Sequence, residues 1–203
     1  AVLSTLAIIA EIIPSFRVPW GMKIDFVGVI WVLAFFLYGL SQALCVSIIT
    51  TIFIVGYSPT AFIGAAMKFI ATVPMFLVPA AFQYLPISFK KTPKVFNSIL
   101  VITAAGILAI LVRVIACSIT NYYWAIPLFF GMPSDVVLQK MFGNSIWAFI
   151  AFVAGMNVLQ GIVDIVVPWF LVFKGGWEDT LELGKVTVIY DLITLLTGSP
   201  QLL

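Results

Sequence analysis

The sequence predicts an all-α membrane protein, a bundle of six transmembrane helices with both termini in the cytoplasm. Three observations carry that expectation. Of 203 residues, 63% are hydrophobic and 9% charged, whereas a soluble domain carries roughly 25% charged residues, so water-compatible side chains cannot cover a folded surface here. The charged residues divide the chain into long neutral stretches, and inside hydrocarbon a helix satisfies its own backbone hydrogen bonds. At about 20 residues per span the length holds roughly six spans with short loops. The expected organisation is a multi-pass domain in the cell membrane over residues 1–174, followed by a cytoplasmic tail over residues 175–203.

The first span covers Ala1 to Ile13 and ends at Pro14. At 1.5 Å per residue it reaches only about 20 Å, short of a bilayer of roughly 30 Å, so further residues are expected before Ala1. A secretory signal peptide is the competing reading, against which stand Glu11 and the lack of a basic start and a cleavage site. From Phe26 to Met67 no charge occurs, which leaves room for two short helices broken near Gly39–Gln42 and again near Gly56–Pro59. The fourth span runs from about Thr60 to Leu85, with Lys68 inside it and Pro74 and Pro79 interrupting it. A fifth covers about Val95 to Tyr122 and carries Arg113; the sixth, about Asn144 to Phe173, contains Asn157, Gln160 and Asp164.

Loop charges set the orientation. Lys90, Lys91 and Lys94 fall between spans four and five and Lys174 follows span six, so both places are expected to face the cytoplasm. The outer side then receives Ser15–Ile24, Gly56–Pro59 and Tyr123–Gly143. Arg17, Lys23 and Lys140 count against this orientation but are dispersed. Beyond Lys174 the chain turns polar at Gly175–Asp179, and Lys185–Leu196 alternates only loosely, as an interfacial helix or a poorly ordered end would.

Composition also removes functions. Without histidine there is no Ser-His-Asp or Cys-His machinery, no His-ligated haem and no ordinary zinc site. No cofactor and no catalysis are expected. Cys45 and Cys117 lie in apolar runs and read as small buried hydrophobes. No GxxxxGK[ST] loop is present, so the chain has no recognisable ATP-hydrolysing site of its own. A net charge of +2 says little about nucleic acid, and none is expected as a partner.

Polar residues inside the spans need a partner, a wet cavity or an escape to the interface. Lys68 and Arg113 sit about 12 and 13 Å below the outer ends of their helices by helical rise. Snorkelling accounts for Lys68 alone, and an ion pair with Glu11 accounts for Arg113 alone. Asn157 and Gln160, at i and i+3, share one face of span six, where interhelical hydrogen bonding is the plain reading. Asp164, further toward the cytoplasm, reads as structural or as a partner contact. Lys68, Arg113 and Asn121 all belong to the outer half of the membrane, Asn157 and Gln160 approach from span six, and one outward-facing pocket explains their cost at once. Trp20, Tyr122, Tyr123 and Trp124 are candidates to stack on a flat ring, or members of an interfacial aromatic belt. The residues by themselves point to a small, polar, aromatic solute.

Several motifs, in this order, resemble one family. Val18-Pro19-Trp20-Gly21-Met22-Lys23-Ile24-Asp25-Phe26 is similar to a proline-bearing first loop ending in a Lys-x-Asp step. Phe69–Pro74 and Val78-Pro79-Ala80 resemble the fourth-span pattern, Asn121–Leu128 the close of the fifth, and Asn157-Val158-Leu159-Gln160-Gly161 an Asn-x-x-Lys-Gly run in the sixth. The family is that of the substrate-binding S components of energy-coupling factor (ECF) vitamin transporters, and the riboflavin-specific branch is the most similar. The resemblance covers about residues 1–174.

What it implies is a non-catalytic bundle that binds riboflavin or a related vitamin from outside and works with a coupling membrane protein, the T component, and two cytosolic ATPases. It also implies ligand contacts at the positions of Asn121, Asn157 and Gln160. Gln160 stands where the family has lysine, so either Arg113 and Lys68 supply the missing charge or the ligand differs. The candidate ligand-binding set is therefore Asn121, Asn157, Gln160, Arg113, Lys68, Lys23, Trp20 and Tyr122, with the first loop as part of a lid. The family's first helix docks on the coupling protein through small residues, for which Ala1, Ser4, Thr5 and Ala7 are available. Alternative readings are an S component for a different vitamin or precursor, a scaffold subunit without ligand, or a membrane enzyme binding lipid head groups through Lys68, Arg113 and the carboxylates.

Overall fold

The computed structural model describes residues 1–13, 16–17, 23–57, 61–83 and 93–176. Its helices are α1 (Val2–Ile12), α2 (Val27–Tyr38), α3 (Leu40–Tyr57), α4 (Ala61–Thr72), α5 (Pro74–Phe82), α6 (Ile99–Thr120), α7 (Ile126–Phe130), α8 (Ser134–Phe142) and α9 (Ile146–Phe173). Between α1 and α2, strands β1 (Phe16–Arg17) and β2 (Lys23–Ile24) pair antiparallel, Phe16 opposite Ile24 and Arg17 opposite Lys23.

Among the described residues, three helical stretches are long and apolar enough to cross a membrane: Phe62–Phe82, Ile99–Phe130 and Ile146–Phe173, of 21, 32 and 28 residues. At helical rise they measure about 31, 48 and 42 Å, enough for a hydrocarbon core of about 30 Å. Three shorter apolar helices, Val2–Ile12, Val27–Tyr38 and Leu40–Gly56, pack with them.

The central helix is α2. Every residue from Val27 to Phe36 is buried, and a helix apolar on all sides has no stripe to turn toward a solvent. It starts where the Asp25 carboxylate accepts the Val27 amide at 2.9 Å, and it ends at Gly39, whose φ of 89° suits a residue without a Cβ. Around it stand α1, α3 and α9; α6 packs between α5 and α9, and α4 lies against α3 and α6. At the Tyr38 end, Phe35, Phe36, Phe96 and Phe173 form an aromatic cluster with ring centroids 5.4 to 6.0 Å apart. Trp169 Nε1 donates to the Phe96 carbonyl at 2.7 Å, which ties the 3-10 turn Pro93–Asn97 to α9.

Four expectations change. Of the two prolines expected to interrupt the fourth span only Pro74 does, having no N–H to continue the ladder and beginning α5, while Pro79 lies inside that helix. The fifth does not stop at Tyr122: its path runs on through a π-type turn, Asn121–Ala125, into α7 and ends at Gly131, whose φ is 63°. The outer segment 123–143, read as a loop, holds α7 and α8. On α1, Ser4 and Ala7 are buried within the bundle, so of the four small residues only Ala1 and Thr5 remain exposed. The lysines at 90 and 91 and the tail from 177 onward lie outside the described residues.

Candidate ligand-binding site

A cavity of about 100 Å³ opens where β2 leads into α2, between α4, α6 and α9. Helical spacing builds its walls. Arg113, Cys117 and Asn121 fall at intervals of four along α6 and into the π-type turn, while Asn157 and Gln160 fall three apart on α9. Met67, Lys68, Ala71 and Thr72 bring one face of α4, and Lys23, Asp25 and Gly28 come from the approach to α2. The predicted residues Lys23, Lys68, Arg113, Asn121, Asn157 and Gln160 thus meet at one place.

Two ion clusters organise it. At the hairpin, Lys23 Nζ lies 2.5 Å from Glu11 Oε1 and 3.6 Å from Asp25 Oδ2. Lys68 Nζ lies 2.9 Å from Glu11 Oε2 and also pairs with Asp25 Oδ2. Deeper, Arg113 Nη1 donates to Asp164 Oδ2 at 2.6 Å and its Nε to Asn157 Oδ1 at 3.0 Å. The alternative of a Glu11–Arg113 pair is not realised: Glu11 serves the two lysines and Asp164 serves the arginine. Burial of these charges is tolerable because each has an opposite charge in hydrogen-bond range, and removing one partner would leave the other stranded.

Gln160 joins the clusters. Its Oε1 accepts the Asp25 amide at 3.1 Å, and its Nε2 donates to the Asp25 carbonyl at 2.8 Å and to Asp164 Oδ1 at 2.7 Å. One side chain therefore satisfies both backbone groups of a buried residue that no helix or strand provides for. An ammonium has donors only and could not accept the amide, which gives the glutamine a definite role. Gly28 makes room beside it. A Cβ there would lie 2.4 to 2.6 Å from the Asp164 carboxylate, closer than atoms can approach.

Outside the spanning helices, burial works against the charge of Asp25, but Lys68, then Lys23 and the Val27 amide, outweigh it and hold its carboxyl below the ordinary value. Burial and the Lys68 ammonium draw Lys23 down, with Glu11 and Asp25 opposing. Asn121 donates Nδ2 to the Cys117 carbonyl at 2.8 Å, and Asn157 donates Nδ2 to the Val153 carbonyl at 2.8 Å. Thr72 lines the cavity beside Asn121. No group of three His, Cys, Asp or Glu side chains suited to a metal occurs among the described residues.

Two predicted residues fall elsewhere. Trp20 lies outside the described residues. Tyr122 is next to Asn121 in the π-type turn but is not among the residues that line the cavity. Its ring meets Tyr123 at 4.9 Å and Phe149 at 5.8 Å between centroids, within a second apolar cluster. Sequence reasoning missed Glu11 and Thr72 at this site, left Asp25 among the lid residues, and set Asp164 apart. The signal for the carboxylates was charge balance, since three buried cations require three anions close by.

The fold and the site define an all-helical membrane protein with a polar, ion-paired cavity between its helices. Its structure is similar to that of the S component of a bacterial ECF transporter, with a TM-score of 0.61 and 23% identity over 85% of this chain and 89% of that one. At that identity the likeness establishes a shared fold. No family model and no curated protein matches the chain.

Proposed function

We propose that the chain is the substrate-binding S component of an ECF-type importer, taking up riboflavin or a related vitamin from the outer side of the cell membrane. Six spans with both termini cytoplasmic over residues 1–174, a cytoplasmic tail over 175–203, a T component and two cytosolic ATPases as partners, and no catalysis by this chain belong to the same reading. The observation that carries it is the convergence of costly polar side chains from α4, α6, α9 and the hairpin on one cavity. That cavity stands in a chain with the fold of an S component. Asn121, Asn157 and Gln160 are the proposed polar contacts, with Lys68, Arg113 and Lys23 around them and Trp20 and Tyr122 as aromatic candidates.

Ligand sites usually exceed about 300 Å³, so a vitamin enters only if the lining parts. The hairpin residues Lys23 and Asp25 are held across the site by ion pairs and by Gln160, contacts that must break if the lining parts there. Titrating purified protein into riboflavin and following flavin fluorescence tests the assignment. Saturable quenching at micromolar ligand or below is expected; its absence removes riboflavin, and mass spectrometry of the co-purifying small molecule then shows which other vitamin the site takes.

A further inference from the structure

Among the described residues, three cations line the cavity, and each pairs with a carboxylate. Lys23 and Lys68 share Glu11 and Asp25, and Arg113 is held by Asp164. The side chains of Arg113 and Asp164 are 6% and 1% exposed, so water does little to screen any charge brought beside them. The other polar side chains that line the cavity, Thr72, Asn121, Asn157 and Gln160, are neutral.

We propose that the site selects an uncharged, hydrogen-bonding solute and discriminates against its anionic forms, and that Asp164 and Glu11 are the residues that set this specificity. An anion would have to compete with a carboxylate for Arg113 or for the lysines, and would sit beside that carboxylate's like charge in a buried place. A neutral polyol or amide meets Thr72 and Asn121 without breaking either cluster. Gly28 takes part indirectly, because only a residue without a Cβ leaves Asp164 within reach of Arg113.

This inference rests on the vitamin-binding reading, and riboflavin with its monophosphate forms the matched pair that tests it. Fluorescence titration of the unaltered protein is expected to show at least about tenfold tighter binding of riboflavin, the scale of one charge-assisted hydrogen bond lost. In Asp164→Asn, Arg113 is free to take the phosphate, and in Glu11→Gln the lysines are; each ratio should shrink by about tenfold or invert. Glu11→Gln lies at the edge of the bundle and serves if the buried Asp164→Asn variant does not give a monodisperse peak in detergent.

Equal affinity for the two flavins overturns the specificity while leaving the vitamin reading in place. A wild-type preference that both variants retain overturns the assignment to Asp164 and Glu11. If neither flavin binds but biotin, which carries a carboxylate, does, the riboflavin reading and this inference fall together. Failure of all three ligands to bind has the same consequence.

Discussion

At the residue scale, the site depends on one missing methyl group. A Gly28→Ala substitution adds helix propensity worth up to about 1 kcal/mol, but it places Cβ 2.4 Å from Asp164 Oδ1 in a packed interface. Overpacking of that kind typically costs about 1–3 kcal/mol, so the clash wins. The variant is expected to melt several degrees lower in detergent, at about 2–4 °C per kcal/mol for a chain of this size. Loss of ligand affinity should accompany it, because the Asp164 carboxylate must swing away from Arg113 and Gln160. An unchanged melting temperature would show that Asp164 does not pack against α2 as described. Tyr122 shows the opposite lesson: a candidate to stack on a ring ligand, it packs instead on Tyr123 and Phe149 beside the cavity.

At the element scale, the β1–β2 hairpin is the unusual part. Two residue pairs of strand would not persist alone, since even a longer isolated hairpin is marginal. Lys23, Asp25, Glu11 and Lys68, with Gln160 beneath, fasten it to α1, α4 and α9. The Asp25 carboxyl is held below its ordinary value, so its contribution to stability is complete above that value of 3.8 and is lost as pH falls through the lower, folded-state one. Melting curves recorded from neutral toward acid should therefore show stability falling below about pH 4. In Asp25→Asn that segment should be flatter and the neutral-pH stability lower. Equal slopes for the two proteins would mean that Asp25 is not paired in the folded state. The π-type turn at Asn121–Ala125 is the other irregular element. It extends the fifth helical path past the cavity and aims Asn121 inward, in keeping with the concentration of such turns at functional sites.

At the scale of the whole molecule, charge placement and helix direction fix an expected orientation. α6 and α9 meet in opposite directions, Arg113 reaching Asn157 and Asp164 while Gly106 approaches Ile165, so the cavity end and the Phe96 end lie at opposite faces of the bundle. Exposed positions on each side test this. In a Cys45→Ser background, Gln139→Cys on α8 should react with a membrane-impermeant maleimide in intact cells, and Asn97→Cys should react only after lysis. The reverse pattern would place the cavity on the cytoplasmic side and overturn uptake from outside.

The sequence by itself determined that this chain lives in lipid, roughly where its helices run, and which polar residues are too costly to be incidental: Lys68, Arg113, Asn121, Asn157 and Gln160 all line one cavity. Composition and helical spacing carry that information because the price of a buried charge depends on the residue and its depth, both local quantities. Partnership is not local. That Arg113 chooses Asp164 over Glu11, that Gln160 supports the backbone of a residue 135 positions away, and that Gly28 clears space for a carboxylate were decided by how α2, α6 and α9 pack. Helix direction and rotation set which opposite charges come within 3 Å, and no pattern along a single strand of sequence encodes that angle.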